Sequence, residues 1–241
     1  MENQGIIKDG KICQEDYEKA NPKILWVLKQ AYNKDGKCFD LIKFLNEIIT
    51  VLESKENNDK NEAIDKKIVS IEDFETSWKT FYPIALTTCG VFDIKYTYQY
   101  ETFCSLKKIA LINIIKKVGL KKTTPQQELE KEYEENKNEL NEQIESYKPD
   151  VIIFGLGTGN KCLVKKIISK LKNLNKDNIS FDEYGNYWSF FKTDNMLFIL
   201  TDHPSSFCNS RDGQGDIISL PAAVDDIVAI IKDNYPHSHN C

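Results

Sequence analysis

The sequence lacks several features that would point to particular protein classes. It contains a single arginine, Arg211, and no apolar run of the ~20 residues that a membrane-spanning helix requires. The N-terminus has no basic region leading into an apolar stretch, which excludes a typical secretory signal. We therefore expect a protein that is not exported and does not contact a membrane.

Paired cysteines are also missing. The seven cysteines are an odd number, and no two of them have C-x-x-C spacing, so neither a disulfide framework nor a zinc ribbon is indicated. We expect reduced thiols in a cytoplasmic protein, with no metal and no cofactor.

The formal net charge of −5 argues against a protein that coats nucleic acid, because such binding depends on neutralising phosphates. The local charge is positive after Asn113, although the net charge of the chain is negative. Four lysines are clustered there: Lys116, Lys117, Lys121 and Lys122. This cluster predicts a site for a nucleic-acid backbone. The alternative is an ordinary solvated loop in a lysine-rich chain.

Short apolar runs alternate with helical patterns along most of the chain. Such alternation predicts an α/β fold, here a three-layer α/β/α sandwich with a short, central, mostly parallel four-stranded sheet. We expect one domain over 1–241, a polar insertion near 54–62 and a flexible tail over 234–241. Thr124 to Gln127 has the pattern of a capping box at the start of a long helix. Residues 181–192 suggest a hairpin or edge element.

Candidate site residues mark the ends of four of the predicted strands. Gln30, Asn113, Gly155 and His203 each stand at or just after a strand end, and ligands of open parallel sheets bind beyond the carboxyl ends of the strands. We therefore expect these residues to meet at one edge of the sheet. For His203, in His203-Pro204-Ser205, the alternative is that it only ends a strand and caps the turn. The glycines over 155–159 suggest a phosphate loop or, more simply, a tight turn.

In their order and spacing, four motifs resemble those of the uracil-DNA glycosylase superfamily. They are Lys29 to Tyr32, Asn113, Pro149 to Gly155, and the His-Pro-Ser loop, and together they span residues 23 to about 233. The resemblance implies a monomeric DNA glycosylase that excises uracil or a related base, in single-stranded or mismatched DNA, after extruding it from the stack. The chain departs from the family at Ala31, where the most active members have an aspartate.

The resemblance also implies roles for individual residues. Asn113 would read the Watson–Crick edge of the base, and a neutral His203 would stabilise the anionic leaving group. Gln30 or Asn33 could position a water molecule without accepting its proton. The base site would comprise Asn113, Ala31, Tyr32, Phe44 and Ser205, with Phe39 and Trp78 as further candidates to stack on the base. The DNA-contact set would comprise Lys116, Lys117, Lys121, Lys122, Ser206 and Arg211.

Two other functions fit the same sequence. The missing carboxylate and the acidic charge favour a weak or inactive family member that binds nucleic acid or a nucleobase. The aromatic-rich segment 71–105 would suit a protein-interaction module, although it contains no specific motif.

Overall fold

The computed structural model describes residues 5–31, 36–56, 74–95, 99–119, 124–172, 180–184, 188–209 and 220–235. Some predicted features lie outside these ranges: residues 57–62 of the insertion, 236–241 of the tail, and the site residues Tyr32, Asn33, Lys121, Lys122 and Arg211.

The core strands are short and fully buried. The strands are β1 (Ile7–Lys8), β2 (Gly10–Lys11), β3 (Ile24–Leu28), β4 (Phe39–Asp40), β5 (Ile109–Asn113), β6 (Val151–Gly155), β7 (Asp182–Tyr184), β8 (Trp188–Lys192) and β9 (Leu197–Thr201). All residues of β3, β5, β6 and β9 are buried, as is usual for parallel strands with both faces covered.

Seven strands form the main sheet, in the order β2-β5-β3-β6-β9-β8-β7. The four central strands β5, β3, β6 and β9 are parallel, whereas β2, β8 and β7 run antiparallel to their neighbours. The α/β class is confirmed, but the prediction of a four-stranded sheet was wrong. Strand β2 has only two residues, too few to show the alternating pattern of a strand. The predicted hairpin at 181–192 contains β7 and β8, and β8 pairs with β9, so the hairpin extends the sheet.

Helices pack against both faces of the sheet. The helices are α1 (Gln14–Lys19), α2 (Leu41–Glu56), α3 (Phe74–Val91), α4 (Gln99–Cys104), α5 (Gln126–Tyr147), α6 (Lys161–Lys170) and α7 (Leu220–Asn234). Trp26 of β3 faces the cluster that includes α2, α3 and α7, and Val27 faces the cluster that includes α5 and α6. Consecutive residues of one strand therefore stabilise two separate cores. No helix in the described ranges is both long and apolar enough to cross a bilayer.

The capping-box prediction was wrong. Helix α5 begins at Gln126 with Pro125 at the N-cap and no side-chain cap hydrogen bond. The Thr124 hydroxyl instead donates to Gln30 Oε1 at 3.2 Å, so a contact with the end of β3 replaces the local one.

Candidate active site at the carboxyl edge of the sheet

The four parallel strands end side by side. Their register aligns Asn113, Leu28, Gly155 and Thr201 in one row across the sheet. After β3 the chain crosses to β5 on one side, whereas β6 and β9 lie on the other. The connecting helices pack on opposite faces, so the chain reverses direction between the carboxyl ends of β3 and β6. Open α/β sheets bind ligands at this position, and we call the space beyond these two strand ends the crevice.

Two charged side chains, from the residues that follow β3 and β9, lie near Gly157, just past β6. Gly157 has a φ of +89°, and a methyl group placed on it would lie 3.9 Å from both Lys29 Nζ and Asp202 Oδ1. The backbone N–H of Thr158 donates to Asp202 Oδ1 at 3.4 Å. The sequence analysis missed Lys29 and Asp202 as site residues, although each directly neighbours a predicted one.

The imidazole of His203 is held by Ser205. The backbone N–H of Ser205 donates to Nδ1 at 3.3 Å, and Ser205 Oγ lies 2.8 Å from the same nitrogen. A backbone N–H can only donate, so Nδ1 is the acceptor and the proton of the neutral ring belongs on Nε2. Within the described residues Nε2 has no hydrogen-bond partner.

Charge and burial favour the neutral ring. Burial, followed by the nearby Lys29 cation, lowers the pKa of His203 to about 4. Burial also lowers the pKa of the Lys29 ammonium, and the Asp202 carboxylate opposes this shift. The crevice therefore presents a neutral N–H donor beside an amine that is easier to deprotonate than an exposed lysine.

The His-Pro-Ser loop is anchored in the core. Pro204 packs over Gly155 so closely that a Cβ there would lie 3.0 Å from Pro204 Cδ. Phe207 is fully buried, with its ring 5.5 Å from that of Trp188. The N–H of Ser206, predicted as a DNA contact, donates to the carbonyl of His203 at 2.7 Å. The loop thus has a structural role and also fixes the imidazole.

Gln30 reaches the predicted edge, but its amide is bonded within the protein. Nε2 donates to the Lys117 carbonyl at 2.8 Å, and Oε1 accepts from Thr124. The N–H of Gly119 donates to the carbonyl of Ala31 at 2.9 Å. Gln30 and Ala31 therefore join the end of β3 to the segment after β5.

Asn113 is the centre of a buried network that sequence reasoning missed. The side chain is 2% exposed, and its backbone N–H and Nδ2 donate to Asp9 Oδ2 at 2.7 and 3.3 Å. Lys116 Nζ lies 2.8 Å from Asp9 Oδ1, and Gln143 Nε2 donates to the same oxygen at 3.1 Å. The only local sign of Asp9 was an Asp-Gly pair, which is typical of a turn.

The remaining predicted residues have partners within the protein. Phe44 is buried in the core against Phe39 and Phe81, with ring centroids 5.3 and 6.3 Å away. Lys117 is half exposed and pairs with Glu132 at 3.2 Å. Residues 155–159 form a strand-to-helix turn that leads through a short 3₁₀ segment into α6.

A cavity of about 420 Å³ lies at the opposite edge of the sheet, between Asp150 at the start of β6, Leu197 at the start of β9, and Tyr235. It is open to solvent at the amino ends of the strands, whereas ligands of such sheets bind at the carboxyl ends. We therefore place the candidate site in the crevice.

In the described part of the chain, no cluster of three or more His, Cys, Asp or Glu side chains could hold a metal ion. No protein-family model matches the chain, and a search of curated proteins finds no significant match.

Proposed function

We propose that the chain hydrolyses the N-glycosidic bond of uracil or a related deaminated base in DNA. One observation supports this most directly: the neutral imidazole of His203 is fixed by Ser205 with its Nε2–H as a donor at the carboxyl edge. Departing uracil is an anion, and a fixed neutral donor stabilises charge where it develops in the transition state. The order of the four motifs supports the same uracil-DNA glycosylase-like fold and reaction.

The geometry changes the role that we propose for Asn113. Its amide is nearly inaccessible and donates to the buried Asp9 carboxylate, so it does not face a base in this arrangement. We propose instead that Asn113 fixes the end of β5 and thereby one wall of the crevice.

We propose that the protein is a cytoplasmic monomer and that DNA is its partner. The ion pairs of the lysine cluster change which lysines we assign to phosphate contacts. Lys116 is paired with buried Asp9, and Lys117 with Glu132. A lysine that already has a carboxylate partner releases fewer counterions on binding phosphate. We therefore assign the strongest phosphate contacts to Lys121 and Lys122.

The second candidate function is binding of nucleic acid or a nucleobase without hydrolysis. Both ends of the Gln30 amide are bonded within the protein. Ala31 stands where the most active members of the family that the chain resembles have a carboxylate. Neither residue can activate water in this arrangement, which favours a binder unless another group provides the nucleophile.

One assay separates these functions. The purified protein is incubated with single-stranded, U·A and G·U oligonucleotides, which are then treated with alkali to cleave abasic sites. We expect alkali-labile sites from a glycosylase. A binder would shift the migration of the DNA without producing them, and an interaction module would do neither.

Two substitutions of His203 sharpen the test. Asparagine keeps an acceptor near the position of Nδ1 but places nothing at Nε2, whereas glutamine can extend an N–H donor to the Nε2 position. We expect His203→Asn to lower base release by about 10²–10³-fold and His203→Gln to recover part of the loss. Asn195→Ala, in the exposed turn before the same strand, is the matched control. Wild-type release by His203→Asn would contradict the proposal.

A further inference from the structure

The proposed reaction has no group that can activate water among the residues predicted for that task. The first motif offers the methyl group of Ala31 and the amide of Gln30, which is hydrogen-bonded within the protein at both its nitrogen and its oxygen. Asn33 lies outside the described residues and, as an amide, would not accept a proton from water. Other side chains at the same edge are therefore the candidates for the nucleophile.

Lys29 has the position that such a nucleophile needs. It is the first residue after β3, the strand that borders the crevice, and its side chain is only partly exposed. Its Nζ lies 3.9 Å from the position that a Cβ of Gly157 would take, and Asp202 Oδ1 and Asn160 Nδ2 lie 3.9 and 3.7 Å from the same point. Among the described residues, no carboxylate lies within 4 Å of Nζ.

We propose that Lys29 is the nucleophile of the glycosidic cleavage, attacking C1′ of the extruded nucleotide through Nζ and forming a covalent enzyme–DNA intermediate. This inference rests on the function proposed above. It deepens that function because it replaces direct attack by water with attack by an amine.

The step can be written with atoms and charges balanced. The neutral amine bonds to C1′, and the C1′–N bond to the base breaks with its electron pair, so the base leaves as an anion beside His203 Nε2–H. The new ammonium gives one proton to Asp202, which passes it to O4′ as the sugar ring opens. An iminium ion then joins Nζ to C1′. Water hydrolyses it to the abasic aldehyde, and the released lysine returns a proton to the base.

The surroundings of Lys29 favour this chemistry. Burial lowers the pKa of its ammonium, which raises the fraction of reactive neutral amine. The Asp202 carboxylate, 3.9 Å from the same point above Gly157, is placed to accept the proton. His203 and Lys29 interact closely enough that the lysine cation contributes to the lowered pKa of the imidazole. Nucleophile, proton acceptor and leaving-group donor thus come from two strand ends.

Borohydride trapping tests the inference directly, because reduction of the iminium ion leaves a stable amine linking protein and DNA. The protein is incubated with a labelled uracil oligonucleotide and sodium borohydride, and a cross-linked band is sought on a denaturing gel. We expect this band in the wild type, with the modified peptide mapping to Lys29 by mass spectrometry. Lys29→Arg keeps the positive charge but cannot form the iminium ion, and should reduce trapping by at least about tenfold.

Lys19→Arg is the matched control, since Lys19 is an exposed lysine on α1, before β3 begins, and should trap as the wild type does. Circular dichroism shows whether each variant is folded. If folded Lys29→Arg releases uracil at the wild-type rate, or the wild type releases uracil without any trapped species, the inference fails while the proposed function stands. If the wild type releases no base from any substrate, the proposed function itself fails.

Discussion

The backbone N–H of Ser205 donates to Nδ1 of His203, and this bond decides which nitrogen of the imidazole carries the proton. The ring then has one fixed tautomer, in which the N–H donor is Nε2. Because burial lowers the pKa of His203 to about 4, the donor stays neutral throughout the physiological range.

This arrangement predicts a distinctive NMR signal. In ¹⁵N-labelled protein, long-range ¹H–¹⁵N spectra should show one imidazole as the Nε2–H tautomer, unchanged from pH 7.5 to pH 5.5. His203→Asn assigns the signal. A fixed signal of the opposite tautomer, or a His203 that becomes charged near pH 6.5, would contradict the prediction.

A second prediction concerns the Asp9 network. Asp9→Asn removes a carboxylate that is almost completely buried and leaves Lys116 without its ion-pair partner. Removing one partner of a buried pair is strongly destabilising, so we expect the free energy of unfolding to fall by about 3 kcal/mol in urea titrations. Asp194→Asn, an exposed control, should change it by less than about 0.5 kcal/mol. Equal effects of the two substitutions would show that the network contributes little.

The difference between what the sequence predicted and what it missed has a physical basis. The parallel strands were found because strands buried on both faces are continuous apolar runs, and their ends were marked by polar residues. The row formed by Leu28, Asn113, Gly155 and Thr201 confirms that these ends are adjacent.

Side-chain partners could not be predicted in the same way. Asp9 contacts Asn113 across 104 residues of sequence and Gln143 across 134, and no local period encodes such contacts. Thr124 illustrates the converse error, because its pattern matched a helix cap while its hydroxyl bonds to Gln30. Local rules place residues at an edge of the fold, but they do not show whether a side chain faces a ligand or the protein.

A third prediction distinguishes a structural Gln30 from one that positions water. Gln30→Glu loses the donor to the Lys117 carbonyl and brings a negative charge toward that oxygen, so we expect a loss of about 1–3 kcal/mol in the free energy of unfolding. The single-turnover rate of base release, measured where the variant is folded, should stay near that of the wild type. Gln127→Glu, on the exposed first turn of α5, controls for added charge. A large loss of rate with unchanged stability would restore Gln30 to the catalytic site.

A fourth prediction uses the two glycines of the turn after β6. Gly157→Ala places a methyl group at the point where Lys29 and Asp202 converge, in a backbone conformation that costs about 1–3 kcal/mol for other residues. We expect weaker binding of uracil-containing DNA and slower base release. Gly159→Ala meets no atom within 4 Å and should leave both unchanged. If the two variants behave alike, the crevice above Gly157 is not the binding site.

The fifth prediction concerns the pH dependence of stability. Above pH 6.5 His203 is neutral in both the folded and the unfolded chain, so its titration contributes nothing there. As the pH falls below 6.5 the unfolded chain gains a proton that the folded chain, with a pKa of about 4, still excludes, and stability is lost until about pH 4. The loss should be on the order of 3 kcal/mol at most, because the imidazole is partly buried.

His203→Asn lacks this titration, so its free energy of unfolding should fall less than that of the wild type between pH 7 and pH 4.5. Other titrating groups are shared by the two proteins and cancel in the comparison. Urea titrations at both pH values measure the difference, and an equal fall in the two proteins would mean that His203 is not held neutral by the fold.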